Sequence, residues 1–171
     1  MIQNFIYKTP QGFSNILISV DDGCVVGLRF TDDAHTNVPT APLAPILRET
    51  IKWLNAYFGG NIPEWTPNYM LKGMTLFRQA TIDAIKQIPF GKTTSYKEIA
   101  HKIARQIGVS NVSARAVGGA VGRNPICIII PCHRVIGATG TITGYNGGIQ
   151  NKIALLEHEQ TILKKNHIKI N

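Results

Sequence analysis

Residues 128–137 read IIIPCHRVIG. A cysteine stands directly before a histidine and an arginine, where a proline closes a run of isoleucines. Isoleucine favours strands and proline ends them. The pattern predicts a short buried strand from Ile126 to Ile130 that delivers Cys132 to the mouth of a pocket. A thiol is a poor nucleophile and its thiolate a good one, and a free cysteine ionises near pKa ~8.5. His133, Arg134 and the backbone N–H groups of a helical turn starting after Pro131 could each lower that value. A histidine acting as base needs an acceptor that orients it. The candidates in this part of the chain are Asp83, Glu98, Glu157 and Glu159, the last two on a C-terminal helix. Neighbouring residues point apart on a strand, so Cys132 and His133 could communicate through a water. The bland alternative for an intracellular cysteine is an inert buried thiol. Cys127, mid-strand, is read that way; Cys132, flanked by Pro131 and His133-Arg134, is read as reactive.

The elements that must position this group fall into two parts. FSNILISV and CVVGLRF flank Asp22-Gly23, the signal of a tight β-hairpin. From Leu43 to Phe58 apolar residues recur at helical spacing, and Gly59-Gly60 ends that helix. Residues 59–73 hold three glycines and two prolines, which places a boundary there and gives residues 1–69 and 70–171 as the two parts. The first is an α/β module, a small sheet carrying a helix. The second opens with a helix near Thr75–Ile88. Ser95 with Glu98 forms a capping-box pattern before a helix with Ile99, Ile103 and Ile107 on one face. Gly108 to Asn111 turns the chain, and Ser113 caps a short helix to about Val121. Helix, glycine-bearing turn, helix is the outline of a helix-turn-helix, although an ordinary αα-hairpin gives the same outline. After a glycine-rich loop, IQNKIALLEHE reads as a helix with Ile149, Ile153 and Leu156 aligned, followed by a basic, frayed tail over the last dozen residues.

Charge divides the same way. The 171 residues carry a net +8. Residues 1–69 hold 4 basic and 6 acidic side chains, net −2; residues 70–171 hold 14 and 4, net +10. The asymmetry points to a polyanion partner for the second part, against the alternative of a merely solvated basic face. No apolar run reaches membrane-spanning length, and MIQNFIYKTP lacks a signal-peptide pattern, so a soluble intracellular protein is expected. Three cysteines without a CxxC argue against a disulfide framework. A zinc site would need scattered ligands such as Cys24 and His35 and is not favoured. His101 and His167 read as solvated surface residues.

PCHRVIG, preceded by NP and followed by TGYNGG, K and LLEHE, resembles the O6-alkylguanine-DNA alkyltransferases, also called methylated-DNA–protein-cysteine methyltransferases. SARAVGGAV and TTSY fit the same family. The resemblance covers residues 75–160 with its motifs in order; the N-terminal module fits only by length and β-rich character. It implies a ribonuclease H-like N-terminal module and a mainly helical second domain with a winged-helix-like helix-turn-helix. It implies direct repair: a monomer binds double-stranded DNA through the minor groove, flips out O6-alkylguanine, and transfers the alkyl group to Cys132 once, without cofactor or metal. O4-alkylthymine would be a second substrate, and the compartment cytoplasmic, or nuclear in a eukaryote. His133 would act through a water as base and Glu159 would orient it. Asn124 would hold the turn near the active loop, and Tyr96 would donate its hydroxyl to the guanine ring. Arg115 would fill the gap left by the flipped base, with Ser113, Ala114, Ala116, Gly118 and Arg123 as further DNA contacts. The Val135 carbonyl, Tyr145 and the Asn146 N–H would line the substrate pocket. Three departures stand out: Ala154 where relatives often carry tryptophan, a helix-turn-helix about one turn longer, and Cys127 where proline or serine is frequent. Two other functions use parts of the same sequence: a lesion sensor that binds DNA without transfer, and a cysteine hydrolase built on Cys132 and His133.

Overall fold

Asp22 and Gly23 both take positive φ, 48° and 71°, the conformation a two-residue hairpin demands and glycine supplies most easily. They join β2 (Asn15–Asp21) to β3 (Cys24–Thr31), and β1 (Gln3–Tyr7) pairs antiparallel on the other side of β2. The computed structural model describes residues 2–33 and 42–166, so His35, His167 and the end of the basic tail lie outside the described residues. Along β2 every second residue is buried: Ile16, Ile18 and Val20 face one side, the period-two alternation of a one-faced sheet. Helix α1 (Pro45–Phe58) covers that side with Leu47, Trp53, Leu54 and Tyr57. Proline at its first turn sacrifices only an N–H that has no intrahelical partner.

The exposed edge of β3 becomes the seam with the rest of the chain. Leu28 N–H donates to Pro125 O and Cys127 N–H donates to Leu28 O, both at 2.8 Å. Higher up, Val25 exchanges hydrogen bonds with Asn68 O and Met70 N–H. One apolar core runs across this seam, taking in Ile18, Leu54, Ile85, Ile103, Val117 and Leu155.

Helices α2 (Leu76–Lys86), α3 (Tyr96–Ile107) and α4 (Ala114–Val121) pack together beyond it. The capping box forms as the sequence predicts: Ser95 Oγ accepts from Glu98 N–H at 3.1 Å, and Glu98 Oε2 accepts from Ser95 N–H at 2.7 Å. Gly108 ends α3 at φ 71°, and Ser113 Oγ caps α4 through Ala116 N–H. Strand β4 (Thr94–Ser95) pairs parallel with β5 (Val135–Ile136), tying the start of α3 to the chain just after Cys132.

Two expectations are corrected. Ile126–Ile130 is not a strand. Ile126 makes a single bridge to Leu28, and the chain then turns with Ile128 at φ 67°, a conformation costly for a β-branched residue. Ile126 N–H, Ile126 O and Ile130 O bond instead to the Asn124 side chain, and Ile129 and Ile130 N–H bond back within the turn. The last helix, α5 (Ile149–Lys165), reaches into the expected tail and turns a different face inward. Ile149 is exposed, while Asn151, Lys152, Leu155, Glu159 and Ile162 are buried. Apolar spacing misreads this helix because its inner stripe carries polar groups with partners waiting for them.

Candidate active site

Cys132 opens a single 3-10 turn, Cys132–Arg134, and is 4% exposed. Asn124 holds the turn from inside. Its Nδ2 donates to Ile126 O at 3.2 Å, Ile130 O at 2.9 Å and Cys132 Sγ at 3.0 Å, while its Oδ1 accepts from Ile126 N–H. The Tyr145 hydroxyl lies 4.0 Å from the sulphur. Burial pushes the Cys132 thiol up, against the lowering influence of the Asn124 and Tyr145 contacts and the Lys152 charge. The expected pre-formed thiolate is therefore absent at rest. Any use of Cys132 as a nucleophile thus requires a base.

His133 is fully buried, and its Nε2 lies 2.7 Å from Glu159 Oε1. Burial lowers its pKa despite the carboxylate beside it, so the ring is neutral near pH 7. Burial also resists ionisation of Glu159, but hydrogen bonds and charge from His133 and Arg134 outweigh it and hold the carboxyl down at about 2. A neutral imidazole facing a carboxylate must carry its proton on Nε2, which leaves Nδ1 as an acceptor. Nδ1 is buried and has no protein partner among the described residues. It is the available base.

Arg134 does not serve the thiol as expected. Its Nε and Nη2 donate to Glu159 at 3.0 and 2.9 Å, and Nη1 donates to Ile88 O. Two further donors complete the carboxylate: Gly91 N–H at 2.9 Å and the Tyr57 hydroxyl at 3.0 Å. Gly91 sits at φ +69°, and a Cβ there would meet Leu163 of α5, so glycine permits the approach. Glu159 is thus a buried anion with every oxygen occupied, the condition under which burying charge is tolerable.

Lys152 escaped the sequence reading. It is fully buried, and its Nζ donates to Val135 O at 2.7 Å and Thr143 O at 3.2 Å and lies 3.5 Å from the Tyr96 hydroxyl. It also stands over the Tyr96 and Tyr145 rings. The lysine joins β5, the glycine-rich loop and the start of α3, and puts a cation near the sulphur. Its only signal in the sequence was a lysine one turn before the LLEHE run.

A cavity of about 140 Å³ opens onto Cys132. Asn124, Cys127, Tyr145 and Asn146 line it, as expected for the last two, while Tyr96 and Val135 do not. Leu28, Arg29 and Phe30 of β3 form another wall, so the first part of the chain contributes to the pocket. On the outside, Ser113, Ala114, Arg115 and Ala116 form an exposed first turn of α4, and Arg123 is exposed beyond its end. A Cβ on Gly118 would lie 3.9 Å from the Tyr96 ring, which places the outward helix directly against the site. Among the described residues no group of three or more His, Cys, Asp or Glu side chains could hold a metal.

Fold and site together define a small sheet with a helix joined to a helical part, whose packed pair α3 and α4 lies in front of a buried cysteine and a buried histidine–glutamate pair. The family profile "6-O-methylguanine DNA methyltransferase, DNA binding domain" matches residues 76–161. A methylated-DNA–protein-cysteine methyltransferase of Mycolicibacterium paratuberculosis is 46% identical over 94% of this chain and 93% of its own. That of Mycobacterium bovis is 54% identical over 63% of this chain, and the match spans 62% of the relative's length. The crystal structure of a Mycobacterium tuberculosis O6-methylguanine methyltransferase superposes with a TM-score of 0.76, at 39% identity and 94% coverage of both chains. The Mycobacterium tuberculosis OGT in complex with DNA superposes at 0.74, with 38% identity and coverage of 94% and 93%. The chain belongs to the methylated-DNA–protein-cysteine methyltransferase family.

Proposed function

We propose that the protein repairs DNA directly, moving the alkyl group of O6-alkylguanine onto Cys132 once per molecule. The observation that carries this reading is the buried thiol of Cys132 beside a neutral His133 whose Nδ1 is free to accept a proton. In the reaction Nδ1 takes the thiol proton through a water. Sulphur then forms a bond to the alkyl carbon as the carbon–O6 bond breaks. The electron pair returns to the guanine ring, which receives a proton from the Tyr96 hydroxyl. The protons re-equilibrate with solvent, and the net change is thiol to thioether and alkoxy-guanine to guanine. A thioether resists hydrolysis, which accounts for a single turnover. Glu159 holds His133 in the working tautomer and stabilises its charge after proton uptake. Tyr145 and Asn146 N–H, on the cavity wall, position the base.

The target must leave the duplex to reach a sulphur that is 4% exposed, at a cost of a few kcal/mol. Arg115, on the exposed turn of α4, enters the stack and offsets part of that cost. Ser113, Ala114, Ala116, Gly118 and Arg123 follow the minor groove, where small residues allow close approach and phosphate contacts give affinity without reading sequence. The finer readings belong to the same proposal: a monomer acting in the cytoplasm, or nucleus of a eukaryote, with O4-alkylthymine as a further substrate. So do the domain limits at 69 and 70, a ribonuclease H-like form for the three-stranded sheet with α1, and a winged-helix form for α3, α4 and the β4–β5 pair.

The test mixes the protein with an oligonucleotide carrying one O6-methylguanine and follows it by intact mass and peptide mapping. The expected result is one methylene's mass on the Cys132 peptide with one equivalent consumed, and none in Cys132→Ala. Tight binding without mass gain would instead support a lesion sensor. A gain on Cys127 would keep the reaction and overturn the site.

A further inference from the structure

The hydroxyl of Tyr57, on α1 of the first part, donates to Glu159 Oε1 at 3.0 Å, and the same oxygen lies 2.7 Å from His133 Nε2. Tyr57 is 1% exposed and fixed on every side. Trp53 stacks on its ring at 5.5 Å and 8°, and Phe90 meets it edge-on at 6.1 Å. On α5 the residue before Glu159 grips the other end of Tyr57: His158 Nε2 lies 2.8 Å from Tyr57 O. Two consecutive residues of α5 thus hold the hydroxyl and the carbonyl of one tyrosine. A core aromatic would need neither bond.

From this geometry we infer that Tyr57 is a positioning residue of the relay, which tunes the proton affinity of His133 through the shared oxygen of Glu159. Two donors compete for Oε1. The more firmly the phenol binds it, the less charge it offers to His133, and the more readily His133 returns its proton after the thiol has been activated. The other titratable or charged groups that face this pair are Arg134 from the same turn, His158 and Lys152 from α5, and Cys132, Cys127 and Tyr145 at the cavity. None of them comes from the first part, whose β3 residues Leu28, Arg29 and Phe30 wall the cavity, so Tyr57 is that part's bond to the His133–Glu159 pair itself. The inference rests on the alkyl-transfer reading for its purpose, though its physical content can be measured without it.

The experiment titrates the His133 ring by NMR in the wild type and in Tyr57→Phe, which removes only the hydroxyl. The expected result is an upward shift of the His133 pKa by about one unit. The acidic limb of the transfer rate against pH should move up by the same amount. Trp53→Phe, which loosens the same packing without touching the hydroxyl, should leave both in place. An unmoved His133 in Tyr57→Phe, or an equal shift in Trp53→Phe, overturns the inference. If the wild type takes up no alkyl group at any pH, the transfer reading fails, and the ring titration still decides the role of Tyr57.

Discussion

Asn124 Nδ2 lies 2.9 Å from Ile130 O and 3.0 Å from Cys132 Sγ, so one amide holds both the reactive sulphur and the backbone that aims it. With Oδ1 bound to Ile126 N–H, the side chain ties together both ends of the segment before Pro131. Asn124→Ala should therefore cost about 2–4 kcal/mol of stability, since each buried group left without a partner costs about 1–3. Urea denaturation would read this. Asn124→Asp keeps the volume but removes the donor to sulphur and adds a like charge, so transfer should slow more than stability falls.

Glu159 gives the protein an acid limit. Its carboxyl is held at about 2 in the fold, against about 4.3 in an unfolded chain. A depressed carboxyl stabilises the fold above the unfolded value, and that contribution is lost as pH falls toward the folded one. The difference corresponds to roughly 3 kcal/mol, lost between about pH 4.3 and 2. His133, kept neutral in the fold, adds a loss that begins as pH drops below about 6.5. Urea midpoints from pH 7 to 2 should fall in those two stages. In Glu159→Gln the lower stage should vanish, at a cost of about 3–5 kcal/mol at neutral pH from leaving Arg134 buried without its counter-charge.

Lys152→Met conserves length and removes three donors. Val135 O and Thr143 O lose their partner, and the sulphur loses a cation that favours its thiolate. Single-turnover transfer should fall at least tenfold, and iodoacetamide should label Cys132 more slowly at a given pH. Labelling at the wild-type rate would remove Lys152 from the chemistry and leave it a structural tie.

Arg115→Ala separates base extrusion from bond making. Arg115 is exposed on α4 and touches none of the relay. Transfer from O6-methylguanine in duplex DNA should drop by tenfold or more, while transfer from the free modified base stays unchanged. Loss of one cationic contact should also reduce the salt dependence of DNA affinity by about one charge. An equal drop on both substrates would place Arg115 in the fold and not in the groove.

Much of this arrangement could be read from the amino acids, where the signal is local. The Asp22-Gly23 hairpin, the Ser95–Glu98 capping box and the Ser113 cap are each decided within a few residues, and each appears as expected. The meeting of His133 with Glu159 came from the family resemblance, since four carboxylates were equally open to residue chemistry alone. What escaped was set by long-range partners. Lys152 looks like a solvated lysine until Val135 and Thr143 supply its acceptors. Arg134 looks like a neighbour for the thiol until Glu159 claims it. The Ile126–Ile130 run has the composition of a strand, but Asn124 and the turn at Ile128 take most of the hydrogen bonds a ladder would need. Cys132 was expected to be acidic from its neighbours in sequence, and burial decided otherwise.

The bond between Tyr57 and Glu159 joins residues 102 positions apart. During synthesis the N-terminal sheet and α1 emerge long before α5, and until α5 docks neither His133 nor Arg134 has its carboxylate. The nascent chain thus carries Cys132 and His133 out of the ribosome before the carboxylate that orients the histidine is in place. On the alkyl-transfer reading, an incomplete molecule lacks the oriented histidine and so keeps its single reaction until α5 has docked.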